Sequence, residues 1–122
     1  MSEISVIVFG SILALLAHLF EEVHTGFRKN FPIGEMPKPV FVGINLTLYT
    51  FCFVTLLLAW LGHPLAIPLG WVFALIMLVN GVGHSGIMAY RRAYFPGGIT
   101  AFLLVASSIY LIHSLLRAGD PR

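Results

Sequence analysis

The composition of this chain restricts its class before any motif is considered. It has 122 residues, of which 58% are hydrophobic and only 10% are charged, and its mean hydropathy is +0.93. In soluble domains about a quarter of the residues are charged, so these values exclude an ordinary soluble enzyme and indicate a membrane protein. The formal net charge is +2 and the basic residues are scattered, so we expect no nucleic-acid partner. A single cysteine excludes an internal disulfide.

Four apolar stretches are long enough to cross a bilayer, which takes about 20 residues. They predict an all-α, polytopic membrane protein with a single integral membrane domain over residues 1–122. The first stretch lacks the basic start and the cleavage site of a signal peptide, so we expect it to be a retained helix. The predicted spans lie at about residues 4–22, 40–61, 65–90 and 97–116.

The connectors between the spans predict their arrangement and orientation. Short connectors after the second and third spans favour an antiparallel four-transmembrane-helix bundle. The longer first connector is rich in proline and is expected to be an ordered interfacial loop. Because basic residues prefer the cytoplasmic side, their distribution predicts that both termini lie outside. Five basic residues flank the first and third connectors and two lie near the C-terminus, namely Arg28, Lys29, Lys38, Arg91 and Arg92 against Arg117 and Arg122.

The polar residues at membrane depth are the most informative, because a charged side chain there costs roughly 2.5 to 3.5 kcal/mol on insertion scales. His18, Glu21 and Glu22 lie at the end of the first span. Their i, i+3 and i+4 spacing puts them on nearly the same helical face. Asn80 and His84 form an i, i+4 pair on the third span, at a depth comparable to that of His18. The two spans can therefore bring these side chains together.

Three short motifs follow one another along the chain. They are H-x-x-E-E at residues 18–22, N-x-x-x-H at residues 80–84 and Y-x-P-G-x-x-T at residues 94–100. Together they resemble the HXXEE-domain family of small bacterial membrane proteins. The resemblance implies several membrane helices and a place in the bacterial inner (plasma) membrane, but no established biochemical activity. It therefore selects residues and does not name a reaction.

The residue types of the cluster predict a metal centre. Two imidazoles and a carboxylate are the ligand set of catalytic zinc and of non-haem iron, both of which keep open positions. We therefore interpret His18, Glu22 and His84 as ligands of a divalent metal ion, zinc or iron. In this hypothesis Glu21, Glu22 and Asn80 are catalytic. A metal-activated water would attack a lipid or isoprenoid-like substrate at the cytoplasmic leaflet, which is hydrolase chemistry.

The turn before the fourth span is the second part of the predicted site. Pro96 and Gly97 interrupt the helical pattern, and Thr100 lies in the first turn of the last span, which favours a structural turn with a capping role. A helix N-terminus also presents free amides to anions. We therefore interpret Arg91, Tyr94 and Thr100 as residues that bind substrate through a lipid phosphate or carboxylate.

Other interpretations of the same cluster stay open at this point. Two adjacent carboxylates at low dielectric can act as an acid and a base, which favours a metal-free isomerase. The cluster is also consistent with a non-catalytic binding or accessory protein in which it is structural, or with a proton or metal-ion carrier. Membrane lipids are the expected partners. Four short helices bury little surface, which favours a homo-oligomer joined through span 2 or span 4.

Overall fold

The computed structural model describes residues 2–120, and this part of the chain is entirely helical apart from its connectors. All four α-helices found in these residues are long and apolar enough to cross a membrane. The predicted all-α, multi-pass membrane fold is therefore confirmed, and the helix ends lie within a few residues of the predicted ones. The helices are α1 (Glu3–Thr25), α2 (Lys38–Trp60), α3 (Ala66–Arg91) and α4 (Gly98–Ala118).

The helix ends follow ordinary capping rules. α1 begins after Ser2, whose side-chain oxygen accepts a hydrogen bond from the Ser5 amide. It ends at Gly26, which has a positive φ of 79°, as is common for a residue that terminates a helix. Gly97, with a φ of 87°, precedes α4 and provides no side chain for capping. The N-terminus of α4 therefore takes its hydrogen-bond acceptor from elsewhere in the fold.

The helices pack in chain order around the bundle, so that α1 contacts α2 and α4, and α3 contacts α2 and α4. A core of apolar side chains from all four helices fills the interior; it includes Ile12, Cys52, Phe73, Met77 and Leu104. α2 is the peripheral member of the bundle, since only 11% of its most apolar 18-residue segment is buried, against 33% of the corresponding segment in each of the other helices. The other three helices thus supply most of the buried surface.

Hydrogen bonds order the connector between α1 and α2. It contains a single 3-10 turn, Arg28–Asn30. Arg28 Nη1 donates to Glu35 Oε1 at 3.0 Å and to the Met36 carbonyl oxygen at 3.1 Å.

At the opposite end of α1, Arg117 forms an ion pair with Glu3 at 2.9 Å. Arg122, which entered the prediction of orientation, lies outside the described residues, and that orientation stays a prediction.

Candidate metal centre

Three buried side chains from two helices converge near one end of the bundle. His18 and Glu22 lie one turn apart on α1, and His84 lies near the C-terminal end of α3. Their exposed fractions are 1%, 7% and 6%. One ligand atom from each lies within 4.8 Å of the others, and no further His, Cys, Asp or Glu among residues 2–120 joins this group. The structure thus brings together the three residues that the sequence suggested as ligands.

Two separations within the group are close to those between the ligands of a metal ion. His18 Nε2 lies 3.6 Å from Glu22 Oε1, and His84 Nε2 lies 3.6 Å from Glu22 Oε2. Ligands placed tetrahedrally at zinc distances of about 2.0 to 2.1 Å are about 3.3 to 3.4 Å apart. The two imidazoles meet edge to face, with ring centroids 4.6 Å apart. The two 3.6 Å separations are thus a few tenths of an ångström longer than those between bound ligands, and the two imidazoles face different oxygens of the one carboxylate.

The hydrogen bond of His84 Nδ1 determines which ring nitrogen of His84 carries the proton. His84 Nδ1 lies 2.8 Å from the Pro96 carbonyl oxygen. A carbonyl oxygen only accepts hydrogen bonds, so Nδ1 carries the proton. In the neutral ring Nε2 then has a free lone pair, and this atom faces Glu22. A backbone carbonyl that orients a histidine in this way is typical of metal sites.

Thr100 determines the protonation of His18 by the same logic. Its hydroxyl oxygen lies 2.6 Å from Glu21 Oε1, to which it donates, and 2.8 Å from His18 Nδ1. Because the single hydroxyl proton goes to Glu21, the hydroxyl oxygen accepts from His18 Nδ1. His18 Nε2 is then the unprotonated nitrogen of the neutral ring. It is buried and has no hydrogen-bond partner among the described residues.

Glu21 is not directed at the ligand group but at the N-terminus of α4. Its carboxylate accepts hydrogen bonds from the Thr100 amide at 2.7 Å, the Ile99 amide at 3.2 Å, the Thr100 hydroxyl and the Tyr94 hydroxyl. It therefore satisfies amides that have no partner within the helix, and its charge complements the helix dipole. A side chain of the protein itself thus provides an anion at this N-terminus, and binding of a lipid phosphate or carboxylate there stays a prediction.

Tyr94 lies in the connector between α3 and α4 and is half exposed. Partial burial, and next the hydrogen bond to Glu21, raise the pKa of its hydroxyl above the ordinary value. Tyr94 therefore stays a neutral donor to the carboxylate. Together with Thr100 it holds Glu21, whereas the sequence suggested that both residues bind substrate.

Gly97 is required where the connector passes the two imidazoles. A Cβ atom at this position would lie 2.7 Å from His84 Nδ1 and 2.8 Å from His18 Cε1, closer than real contacts allow. Its φ of 87° is also unfavourable for any residue with a side chain. Glycine thus permits the backbone to pass directly against both histidines.

The two remaining predicted site residues lie beside the ligand group. Asn80 is half buried, one turn before His84, with its amide near His18, and it also lines an open apolar groove on α3. Arg91 is exposed, and its guanidinium lies over the Phe95 ring at 5.5 Å. Phe95 in turn packs against His84, with ring centroids 5.4 Å apart. Arg91 therefore reaches the centre only through Phe95.

A cavity of about 720 Å³ lies between the end of α1, the first connector and the start of α2. Glu22 is among its lining residues and His18 and His84 are not, so the cavity meets the ligand group at Glu22. Its lining also contains basic residues, namely Arg28, Lys29 and Lys38. In the sequence these charges indicate only the orientation of the bundle. Their proximity to Glu22 depends on the path of the connector, which residue spacing does not reveal.

Fold and site together define a polytopic helical membrane protein with a buried cluster of two histidines and a glutamate near one end of its bundle. The chain belongs to the family described as proteins of unknown function with an HXXEE motif, whose model matches residues 9–111. His18, Glu21 and Glu22 form that motif here. The expected family membership is thus confirmed. No curated protein and no solved structure gave a match to this chain.

Proposed function

We propose that this protein is a membrane-embedded, metal-dependent enzyme, with zinc or iron held by His18, Glu22 and His84. The observation that carries the proposal is the convergence of two unprotonated imidazole nitrogens on the two oxygens of one buried carboxylate. Each Nε2 atom has a free lone pair because Nδ1 of the same ring carries the proton and donates it to the Pro96 carbonyl oxygen or the Thr100 hydroxyl oxygen. Such an arrangement attracts a cation.

A purely structural cluster accounts less well for these contacts. Side chains that link membrane helices do so by hydrogen bonds, and a buried polar atom left without a partner costs about 1 to 3 kcal/mol. His18 Nε2 has no such partner among the described residues. A bound cation would satisfy this nitrogen and the carboxylate at once. This supports a metal centre over hydrogen-bonded structural glue.

The ligand count and the cavity support catalysis over transport. Structural zinc sites use four protein ligands, whereas catalytic sites use three and leave a position for water or substrate. The cavity that reaches Glu22 gives access to that position. Beyond the centre, the buried side chains of residues 2–120 are apolar or carry serine and threonine hydroxyls, with no further Asp, Glu, His, Lys or Arg among them. An ion carrier needs ionisable groups along its path, so the core favours an enzyme.

In this proposal the metal supplies an activated water for hydrolysis of a lipid or isoprenoid-like substrate. The residues of the chain position the centre. Pro96 and Thr100 orient the imidazoles, and Glu21 fixes Thr100. Asn80 lies near His18, one turn before His84 on α3. We propose the cytoplasmic leaflet of a bacterial inner membrane as the place of the reaction, and the basic residues of the connectors at this end support it.

Metal content of the protein purified in a mild, uncharged detergent tests the metal centre. We expect about one zinc or iron per chain by inductively coupled plasma mass spectrometry, and loss of that metal in His84→Ala and Glu22→Gln. Glu21→Gln is the matched control, because it makes the same change one residue earlier but removes no ligand. It should keep the metal with an affinity reduced by about 10- to 100-fold.

The reaction class needs a separate assay with chromogenic long-chain acyl and phosphate esters in detergent. We expect wild-type protein to release the chromophore, and 1,10-phenanthroline or His84→Ala to abolish the release. Wild-type protein without metal after purification free of chelators would reject the metal centre. Hydrolysis that persists unchanged in His84→Ala would reject the assigned role of the centre.

A further inference from the structure

The cavity beside Glu22 has a composition that selects a class of ligand. Its volume of about 720 Å³ is within the range of small-molecule sites, about 300 to 1,000 Å³. Its lining combines three basic residues with apolar side chains from α1 and from the first turns of α2. Glu22 is the single acidic residue in that lining. A bound metal would balance the Glu22 charge, which leaves the cavity positive.

Two of the basic side chains are free to bind an anion. Arg28 is held by Glu35 and the Met36 carbonyl. Lys29 and Lys38, by contrast, are exposed and form no ion pair within residues 2–120. They come from opposite ends of the first connector, and both line the cavity. Two ammonium groups over one cavity favour a compact anion such as a phosphate.

The apolar part of the lining lies on the membrane side of these lysines. Val23 is on α1, and Phe41 and Val42 are in the first turns of α2. Val23 and Val42 are more than half exposed, although both belong to helices that span the membrane. The cavity therefore joins a basic rim to a surface that faces acyl chains. This combination matches an amphiphile, with its head group at the lysines and its chain toward the bilayer.

We infer that this cavity binds an amphiphile with a phosphate-type anionic head group, and that Lys29 and Lys38 are the residues that select it. Bound in this way, the linkage between head group and chain lies beside Glu22. The inference rests on the proposed function for the reaction at that linkage, whereas binding itself requires only the cavity.

Calorimetric titration of the purified protein in uncharged detergent with decyl phosphate tests the inference. Decanol and inorganic phosphate are the comparison ligands, since each carries one half of the amphiphile. We expect decyl phosphate to bind at least tenfold more tightly than either. Lys29→Gln with Lys38→Gln should weaken decyl phosphate binding by about 25-fold, since an ammonium group in direct contact with the phosphate contributes about fivefold.

Arg92→Gln is the matched control for the loss of charge. Arg92 is a basic residue next to the third connector, and the cavity lining does not include it. We expect the affinity of the Arg92→Gln variant for decyl phosphate to stay within about twofold of that of the wild-type protein. Equal weakening by Arg92→Gln and by the lysine variants would overturn the inference, because a diffuse surface charge would then explain binding.

The comparison ligands give two further ways to reject the inference. If decanol bound as tightly as decyl phosphate, the anionic head group would not contribute to binding and the inference would be wrong. If inorganic phosphate bound as tightly as decyl phosphate, the apolar chain would not contribute to binding and the ligand would be a free anion. Titrations are made with metal-free and metal-loaded protein. Decyl phosphate binding without any metal site would reject only the proposed function, and a metal site without this binding would reject only the inference.

Discussion

The neighbouring residues Glu21 and Glu22 have different surroundings, although the sequence presents them as a pair. Successive side chains on a helix point about 100° apart, so one glutamate reaches α4 while the other lies between the two histidines. Glu21 already accepts four hydrogen bonds and has little capacity to act as a base. In our proposal Glu22 is a ligand and Glu21 is a positioning residue.

Gly97→Ala should separate metal binding from general stability. The added Cβ would collide with both imidazoles and would also be strained by the positive φ. We expect loss of bound metal and a free energy of unfolding lowered by about 2 to 4 kcal/mol. Metal content and unfolding by sodium dodecyl sulfate measure the two effects.

The control for Gly97→Ala is Gly62→Ala. Gly62 has a similar φ of 67°, but a Cβ there would meet nothing within 4 Å. It should cost about 1 to 2 kcal/mol from backbone strain and leave the metal content unchanged. Full metal occupancy in Gly97→Ala would contradict the close packing of connector and imidazoles.

Tyr94→Phe should remove the hydrogen bond to Glu21 and show a defined dependence on pH. Because burial and this hydrogen bond raise the pKa of Tyr94, its stabilising contribution is complete below the unfolded-state value of about 10. It is lost as the pH rises through the higher value of the folded protein. We expect the variant to be less stable by about 0.5 kcal/mol at neutral pH, a low value because Tyr94 is half exposed.

Thermal unfolding of both proteins across the alkaline range measures this difference. The gap between wild type and Tyr94→Phe should close as the pH rises through the raised pKa of Tyr94 in the folded protein. Tyr110→Phe makes the same chemical change at an exposed position on α4 and should leave stability unchanged at neutral pH. A gap that widens as the pH rises would have the wrong sign for our assignment.

At the scale of helices, the α3–α4 contact depends on Gly81. A Cβ at this position would lie 2.8 Å from both the Ala101 carbonyl oxygen and Val105 Cγ2. Gly81→Ala should therefore force the helices apart and cost about 1 to 3 kcal/mol in detergent unfolding. Gly83→Ala, two residues later and in open space, should be neutral or stabilising by up to about 1 kcal/mol. Equal stability of the two variants would show that this contact is not tight.

The helices were predictable from the sequence to within a few residues, because length and hydropathy alone decide which segments can cross a bilayer. The i, i+3 and i+4 spacings also led to His18, Glu22 and His84, since periodicity places such residues on one face. The role of Glu21 was not predictable in this way. Its partners lie more than 70 residues away, and residue spacing carries no information about which helix end a side chain will reach.

At the scale of the whole molecule, the positive-inside rule predicts the orientation of the bundle in the membrane. Ile33→Cys, in the exposed first connector, should react with an impermeant maleimide only after the membrane is opened. His63→Cys, in the connector at the opposite end, should react in intact cells. Cys52 is fully buried and gives a low background in the unsubstituted protein. The reverse labelling pattern would invert the topology and move the centre to the outer leaflet.

The groups that hold the two histidines come late in the chain. His18 and His84 belong to α1 and α3, whereas their hydrogen-bond partners are Pro96 and Thr100, around the start of α4. During synthesis both imidazoles therefore enter the membrane before anything fixes which nitrogen faces Glu22. The centre reaches its final geometry only when the last helix packs. For the metal centre that we propose, this order favours metal uptake by the finished protein over uptake by the nascent chain.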